Sequence, residues 1–164
     1  MTDPHSPIAI RCADPTDVDV IAAFNQALAA ESEGRALDPS TLRAGVLAIL
    51  SDERRGVYYV ARRGGAVVGQ IMLTTEWSDW RNGQFWWIQS VYVRPDSRGA
   101  GVYRALHEHV ERLARATAGV IGLRLYVDYE NAGAQRVYER FGMTRTDYHL
   151  YEIDFAAGAT KSEE

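Results

Sequence analysis

The 164-residue chain has one cysteine, Cys12, and one lysine, Lys161. A single cysteine excludes an internal disulfide and a cysteine-based zinc centre. Cys12 ends an expected strand, and it is expected there as a buried small hydrophobe rather than a reactive thiol. No segment reaches the roughly 18 apolar residues of a membrane helix. The residues before Cys12 hold no apolar run of signal-peptide length. Together these absences predict a reducing, cytoplasmic setting. Formal net charge is −4, so the basic stripe of a general nucleic-acid binder is missing. His107 and His109 lie two apart on an expected helix and diverge by about 200°, which keeps them from sharing a metal; no metal is expected. Repeats, low-complexity tracts and composition shifts are absent too. The chain therefore reads as a single domain over residues 1–164, with residues 1–7 and 156–164 loose.

What is present suits a packed core: 46% of residues are hydrophobic and 24% charged, near globular averages. A short strand is expected over Ile8–Cys12. Asp14-Pro15 then signals a helix start, and Val18, Ile21, Ala22, Phe24 and Leu28 recur at helical spacing over about 15–31. Glu31-Ser32-Glu33-Gly34 reads as a polar break. Asp38-Pro39 opens a second helix carrying Leu42, Val46, Ile49 and Leu50. The period then changes. Strands are expected over Gly56–Arg63, Ala66–Trp77 and Gln84–Arg94, with Gly64-Gly65 as a hairpin turn and Pro95 as a stop. A helix over Gly99 to about Thr117 buries Val102, Leu106, Val110 and Leu113. A strand over Val120–Val127, a helix over Asn131–Phe141 capped at Gly142, and one or two strands over Thr144–Phe155 complete the chain. This order predicts an α/β fold of the mixed α+β type. Its central sheet is mixed and mostly antiparallel, with one parallel strand–helix–strand unit and helices on both faces.

The chemistry concentrates in Ser90-Val-Tyr-Val-Arg-Pro-Asp-Ser-Arg-Gly-Ala-Gly-Val102. A strand stops at a proline, a loop of small residues follows, and a helix begins beside two glycines. The first N–H groups of a helix have no intrahelical partner, and the helix dipole adds partial positive charge there. Gly99 and Gly101 lack a Cβ, so an anion can approach the backbone. Arg98 stands at the mouth and can add a charge-assisted contact. Spacing alone leaves an ordinary strand-to-helix turn as an equal alternative. The dinucleotide fingerprint fails, because Arg104 occupies the position of its third glycine, and the Gly-Lys-Ser/Thr of a Walker loop is absent.

Val91-Tyr92-Val93-Arg94-Pro95-Asp96-Ser97-Arg98-Gly99-Ala100-Gly101-Val102 resembles the acetyl-coenzyme A motif of the GNAT superfamily of N-acetyltransferases. A second signature of that family follows in the right order, Asn131-x-x-Ala134-x-x-x-Tyr138-x-x-x-Gly142-Met143. The resemblance spans roughly residues 8–155. It implies acetyl-coenzyme A as acetyl donor, with the backbone of Gly99, Ala100, Gly101, Val102 and Tyr103 cradling the pyrophosphate. It further implies that the Val91–Tyr92–Val93 segment borders the pantetheine arm, that backbone groups of Val91 and Val93 pair with it, and that Asn131 holds the arm. Tyr138 is implied as the general acid. Independently, Asn131 and Tyr138 are seven residues apart, about two helical turns, and so share one side of their helix. A phenol can protonate a departing thiolate, since their ordinary pKa values are about 10 and 8.5. Judged without the resemblance, Tyr138 reads as a core-edge tyrosine. The chain departs from the family at Tyr103, where a small residue is usual.

The acceptor side is less defined. Gln89 stands where some relatives carry a glutamate; it can orient a water or substrate but is no base. Glu76, Asp79 and Asp128 are candidate bases, each also readable as a solvated or paired carboxylate. All four tryptophans fall between Trp77 and Trp87, and Trp80 with Glu76 suits a cationic or aromatic ligand; a hairpin covering the sheet is the plainer reading. Glu31 and Glu33 in the polar break can attract an amine or form an ordinary acidic loop. The expected activity is transfer of an acetyl group to a primary amine of a small molecule, by direct attack in a ternary complex. A peptide or protein amine is the second choice of acceptor. A non-catalytic acyl-coenzyme A sensor and a structural dimer module are the alternatives from other classes. Expected partners are the small-molecule amine and a second copy of the chain in a homodimer, with no nucleic acid and no membrane.

Overall fold

The computed structural model describes residues 6–155, and the switch in apolar period near Gly56 marks the main sheet within them. Strands β1 (Ala9–Cys12), β2 (Val57–Arg63), β3 (Ala66–Ser78), β4 (Gly83–Val93) and β5 (Val120–Arg124) pair in the order β1-β2-β3-β4-β5. The first three pairings are antiparallel and β4–β5 is parallel. A parallel pair needs a long crossover, and helix α3 (Val102–Ala116) lies in it. The expected mixed α/β architecture is observed. The chain divides into two compact units, Met1–Leu125 and Tyr126–Glu164.

In the first unit, the strand period of two sorts side chains onto two faces. Ala61, Val68, Ile71, Leu73 and Ile88 pack with Val102, Leu106 and Val110 of α3. Tyr58, Val60 and Met72 pack instead with Val18 and Ile21 of α1 (Val18–Glu33) and Val46 of α2 (Pro39–Leu50). Helices thus cover both faces. Both expected helix starts are built by aspartates. Asp14 caps a 3-10 turn over Pro15–Asp17 that leads into α1. Asp38 accepts from the Ser40 hydroxyl at 2.6 Å and from the Thr41 amide at 2.7 Å, and these bonds pull its carboxyl down to about 2. Asp17, only 5% exposed, takes a bidentate pair from Arg11 at 2.7 and 2.8 Å, tying β1 to that start.

Several boundaries differ from expectation. Helix α1 runs on to Glu33, so Glu31 and Glu33 are helical rather than part of a break; Gly34, at φ +62°, makes the cap. Helix α3 starts at Val102 rather than Gly99, because Gly99 and Gly101 hold φ +72° and +81°, outside helical space. Strand β5 stops at Arg124. Cys12 is exposed, not buried, as the last residue of the edge strand β1; partial desolvation still raises its thiol, which disfavours the reactive thiolate.

The second unit holds helix α4 (Ala132–Arg140). Asn131 caps it by accepting from the Ala134 amide at 3.0 Å, and Gly142, at φ +79°, follows its C-cap as expected. The strands expected over 144–155 do not form. Tyr148, Leu150, Tyr151, Ile153 and Phe155 there are exposed, and they pair with no strand among the described residues. Among the described residues, no helix is long and apolar enough to cross a membrane, and no cluster of His, Cys, Asp and Glu could hold a metal.

Candidate functional site

The site begins with an irregularity in β4. Pairing with β3 runs Gln70↔Tyr92 and then Met72↔Gln89, so β4 carries an extra residue at Ser90–Val91. Ser90 sits at φ +47°, a left-handed conformation that costs a non-glycine residue of order 1–3 kcal/mol. The strain is held by a buried polar chain. Gln70, fully buried, donates through Nε2 to the Ser90 carbonyl at 3.1 Å and to Asn25 Oδ1 at 2.6 Å; Asn25 Nδ2 in turn donates to the Tyr58 hydroxyl at 3.0 Å. Pairing of β4 with β5 ends at Trp87↔Arg124. Residues 88–93 run beyond it, with no strand among the described residues paired on that side. An extended ligand with amide groups can add there as a strand would.

Downstream, Pro95–Ser97 makes one 3-10 turn and the loop reaches α3. No side chain caps this helix, and its N-cap is Gly101. A Cβ built at Gly99 or at Gly101 would meet nothing within 4 Å, so the loop faces open space. Glycine is required here by φ, and the open surface is where an anion fits. Tyr103, the departure from the family pattern, has its hydroxyl 3.2 Å from His107 Nδ1 one turn along the helix.

Arg98 behaves differently from expectation. Its Nε donates to the Val93 carbonyl at 2.9 Å, its Nη2 pairs with Glu31 at 2.7 Å, and its guanidinium lies 5.4 Å from the Tyr92 ring centroid. The Tyr92 hydroxyl donates to the other Glu31 oxygen at 2.9 Å. Arg98 and Tyr92 together hold the Glu31 carboxyl below its usual range. Thus Glu31, picked as an acceptor-side residue, is joined to two donor-side residues, and Arg98 already occupies one lone pair of the Val93 carbonyl. Among the described residues, Glu33 pairs only with Arg35 and does not join this cluster.

The remaining acceptor candidates, Asp128 of the second unit aside, scatter along the β3–β4 hairpin. Glu76 accepts from Trp87 Nε1 and from Arg124 Nη1. Arg124 also lies 3.6 Å over the Phe85 ring. Gln89 donates to Thr74 Oγ1 at 2.6 Å. Trp80 is 91% exposed near the hairpin tip. Asp79 and Asp128 serve local turns, accepting from the Trp80 and Glu130 amides. In the second unit, Tyr138 is half-buried on α4, and that burial raises its phenol, keeping it protonated at neutral pH. The side-chain oxygen of Asn131 is committed to its cap.

Sequence reasoning missed Gln70, Asn25 and Arg63. Gln70 was visible as the one polar residue in Val67-Val68-Gly69-Gln70-Ile71-Met72-Leu73, and Asn25 lies one turn after Ile21 on the buried face of α1. The signal for Arg63 is alternation alone: two residues past Ala61 it shares that face and is buried, whereas Arg62 is exposed.

Comparison with known proteins meets this geometry. No curated protein matches the chain. A solved structure described as a possible acetyltransferase from Clostridium difficile 630 is 46% identical, with TM-score 0.85 over 90% of this chain and 97% of that one. A predicted acetyltransferase from Clostridium acetobutylicum, solved with acetyl-CoA, shares the fold at 18% identity and TM-score 0.73, over 90% of this chain and 96% of that one. The aminoglycoside N-acetyltransferase AAC(6')-Iy, solved in complex with CoA, shares it at 17% identity and TM-score 0.75, over 92% and 96%. The family model described as Acetyltransferase (GNAT) family matches residues 22–143, a span that includes the bulged strand, the glycine turn and both α3 and α4. The chain therefore belongs to the GNAT acetyltransferase family.

Proposed function

We propose that this acetyltransferase moves the acetyl group of acetyl-coenzyme A onto a primary amine of a small molecule, by direct attack of the amine on the thioester. Acetyl-coenzyme A is the co-substrate of the family's reaction. The observation that carries the reading is the run of β4 past its last partner in β5 and on to the uncapped, glycine-lined tip of α3. One stretch thus offers a strand edge for the pantetheine amides and helix N–H groups for the diphosphate. The open space at Gly99 and Gly101 fits such a group.

In this reading the Val91 N–H, turned out of register by the bulge, polarises the thioester carbonyl. The amine nitrogen attacks the carbonyl carbon, the C–S bond breaks, and Tyr138 gives its proton to the leaving sulfur. The surplus ammonium proton passes to water. Glu31 supplies negative charge for a cationic acceptor, and Gln89 and Trp80 are the remaining acceptor-side candidates. Glu76, engaged by Arg124 and Trp87, is better placed to orient groups than to abstract a proton. The contact of Tyr103 with His107 lies along α3 itself, which weakens the case that its bulk makes the protein a mere sensor.

The test is thiol release from acetyl-coenzyme A across a panel of small amines, aminoglycosides and peptides. Turnover with at least one small amine is expected. Tyr138→Phe should lower kcat at least tenfold while the coenzyme A Kd stays within twofold. Coenzyme A binding without turnover on any amine would replace this reading with the sensor.

A further inference from the structure

Behind the glycine turn lies a charged group that the reading above does not use. Arg63, at the end of β2, is only 5% exposed. Its Nη2 donates to the Ala100 carbonyl at 2.8 Å, and its buried Nε has no hydrogen-bond partner. Among the described residues no carboxylate pairs with it. A guanidinium taken out of water and left with one neutral carbonyl is a costly arrangement. Such a charge persists where a counter-ion completes it.

The contact to Ala100 also sets the direction of the turn. No peptide bond among the described residues is cis. In a trans peptide the C=O and the following N–H point opposite ways. Holding the Ala100 carbonyl toward Arg63 therefore aims the Gly101 N–H away from it. That N–H has no acceptor among the described residues. Hydrogen bonding at the carbonyl also polarises the same peptide group and strengthens its donor.

We infer that Arg63 is the resident cation of the diphosphate site: it fixes the Ala100–Gly101 peptide with its donor toward the ligand, and its own charge is completed when a diphosphate docks on the turn. Arg63 is a positioning and electrostatic residue, not a catalytic one. The inference rests on the acetyl-coenzyme A reading of the turn and adds a residue to it. Arg98, in contrast, is paired with Glu31 in the arrangement seen.

The test compares two donors that differ in the diphosphate. Calorimetry gives the coenzyme A Kd, and steady-state kinetics gives kcat/KM with S-acetylpantetheine, which carries no diphosphate. Arg63→Met should weaken coenzyme A at least tenfold and change the S-acetylpantetheine kcat/KM less than twofold. Its ligand-free Tm should equal or exceed that of the parent, because an uncompensated buried charge has gone. Arg63→Gln, which keeps an N–H for Ala100 but no charge, should show the same selective loss and serves if Arg63→Met does not fold. Equal losses with both donors, or a lowered ligand-free Tm with coenzyme A affinity unchanged, would reduce Arg63 to scaffolding and overturn the inference. A parent protein that binds no coenzyme A would instead remove the reading of the turn itself.

Discussion

Replacing Gln70 by leucine tests whether the β4 bulge is held by the buried polar chain. The change keeps volume nearly constant and removes two donated hydrogen bonds, to Ser90 O and to Asn25 Oδ1. Each acceptor left bare in the interior costs about 1–3 kcal/mol. One opposing effect exists: Gln70 Oε1 is itself buried without a partner, so removing it returns about 1–3 kcal/mol. The net is one bare acceptor, and the expected destabilisation is about 1–3 kcal/mol. Left without its tie, Ser90 can also relax from φ +47°, and relaxation carries Val91 N–H away from the thioester. The expected result is a lower urea midpoint at unchanged m, together with a kcat loss larger than any change in the acetyl-coenzyme A KM. A Gln70→Leu protein with parental stability and parental kcat would refute the idea that this chain holds the bulge. Gln70→Glu should be worse than leucine, because an ionised carboxylate would face two acceptors.

Asp17→Asn leaves the half-buried Arg11 without its bidentate partner and should cost roughly 2 kcal/mol in urea unfolding, less than a fully buried pair because Arg11 remains partly solvated. Burial holds the His107 imidazole below its ordinary pKa, against the opposite pull of Glu111 and Glu108. The unfolded chain therefore takes up that proton first. Stability is fully present above about pH 6.5 and falls as pH drops from there to the folded pKa; His107→Gln should flatten the urea-midpoint profile between pH 7.5 and 5. Glu31→Gln should raise the amine KM severalfold, while releasing Arg98 leaves coenzyme A affinity equal or tighter; a tenfold weaker coenzyme A Kd would contradict the assignment of Glu31 to the acceptor side.

How much of this was legible in the sequence depends on the range of the forces involved. The elements of the first unit follow from local signals. Asp14-Pro15 and Asp38-Pro39 start helices, Gly64-Gly65 turns a hairpin, and alternation sorts Tyr58 and Val60 from Ala61 onto opposite faces. Local signals failed where the outcome depended on a distant partner. The alternating residues from Tyr148 to Phe155 look like strand, but alternation specifies a face and not a ladder partner, and no pairing forms. Cys12 looks buried by type and is exposed by its place on an edge strand. The glycine turn was readable because backbone conformation alone demands Gly99 and Gly101.

The polar groups behind that turn show the same divide from the other side. Arg62 and Arg63 are chemically identical neighbours, and only the hairpin register decides which one is turned inward to Ala100. A one-residue slip would reverse them. The extra residue at the register shift beside Ala61 and Arg62 lies in β3, at Val68, so β2 keeps its alternation and Arg63 shares the face of Ala61 that α3 covers. Gln70 pairs with Tyr92, one position before the extra residue of β4. In the acetyl-transfer reading, the irregularity of β4 and the unbroken alternation of β2 thus aim the two backbone donors it relies on: Val91 N–H at the thioester and Gly101 N–H at the diphosphate.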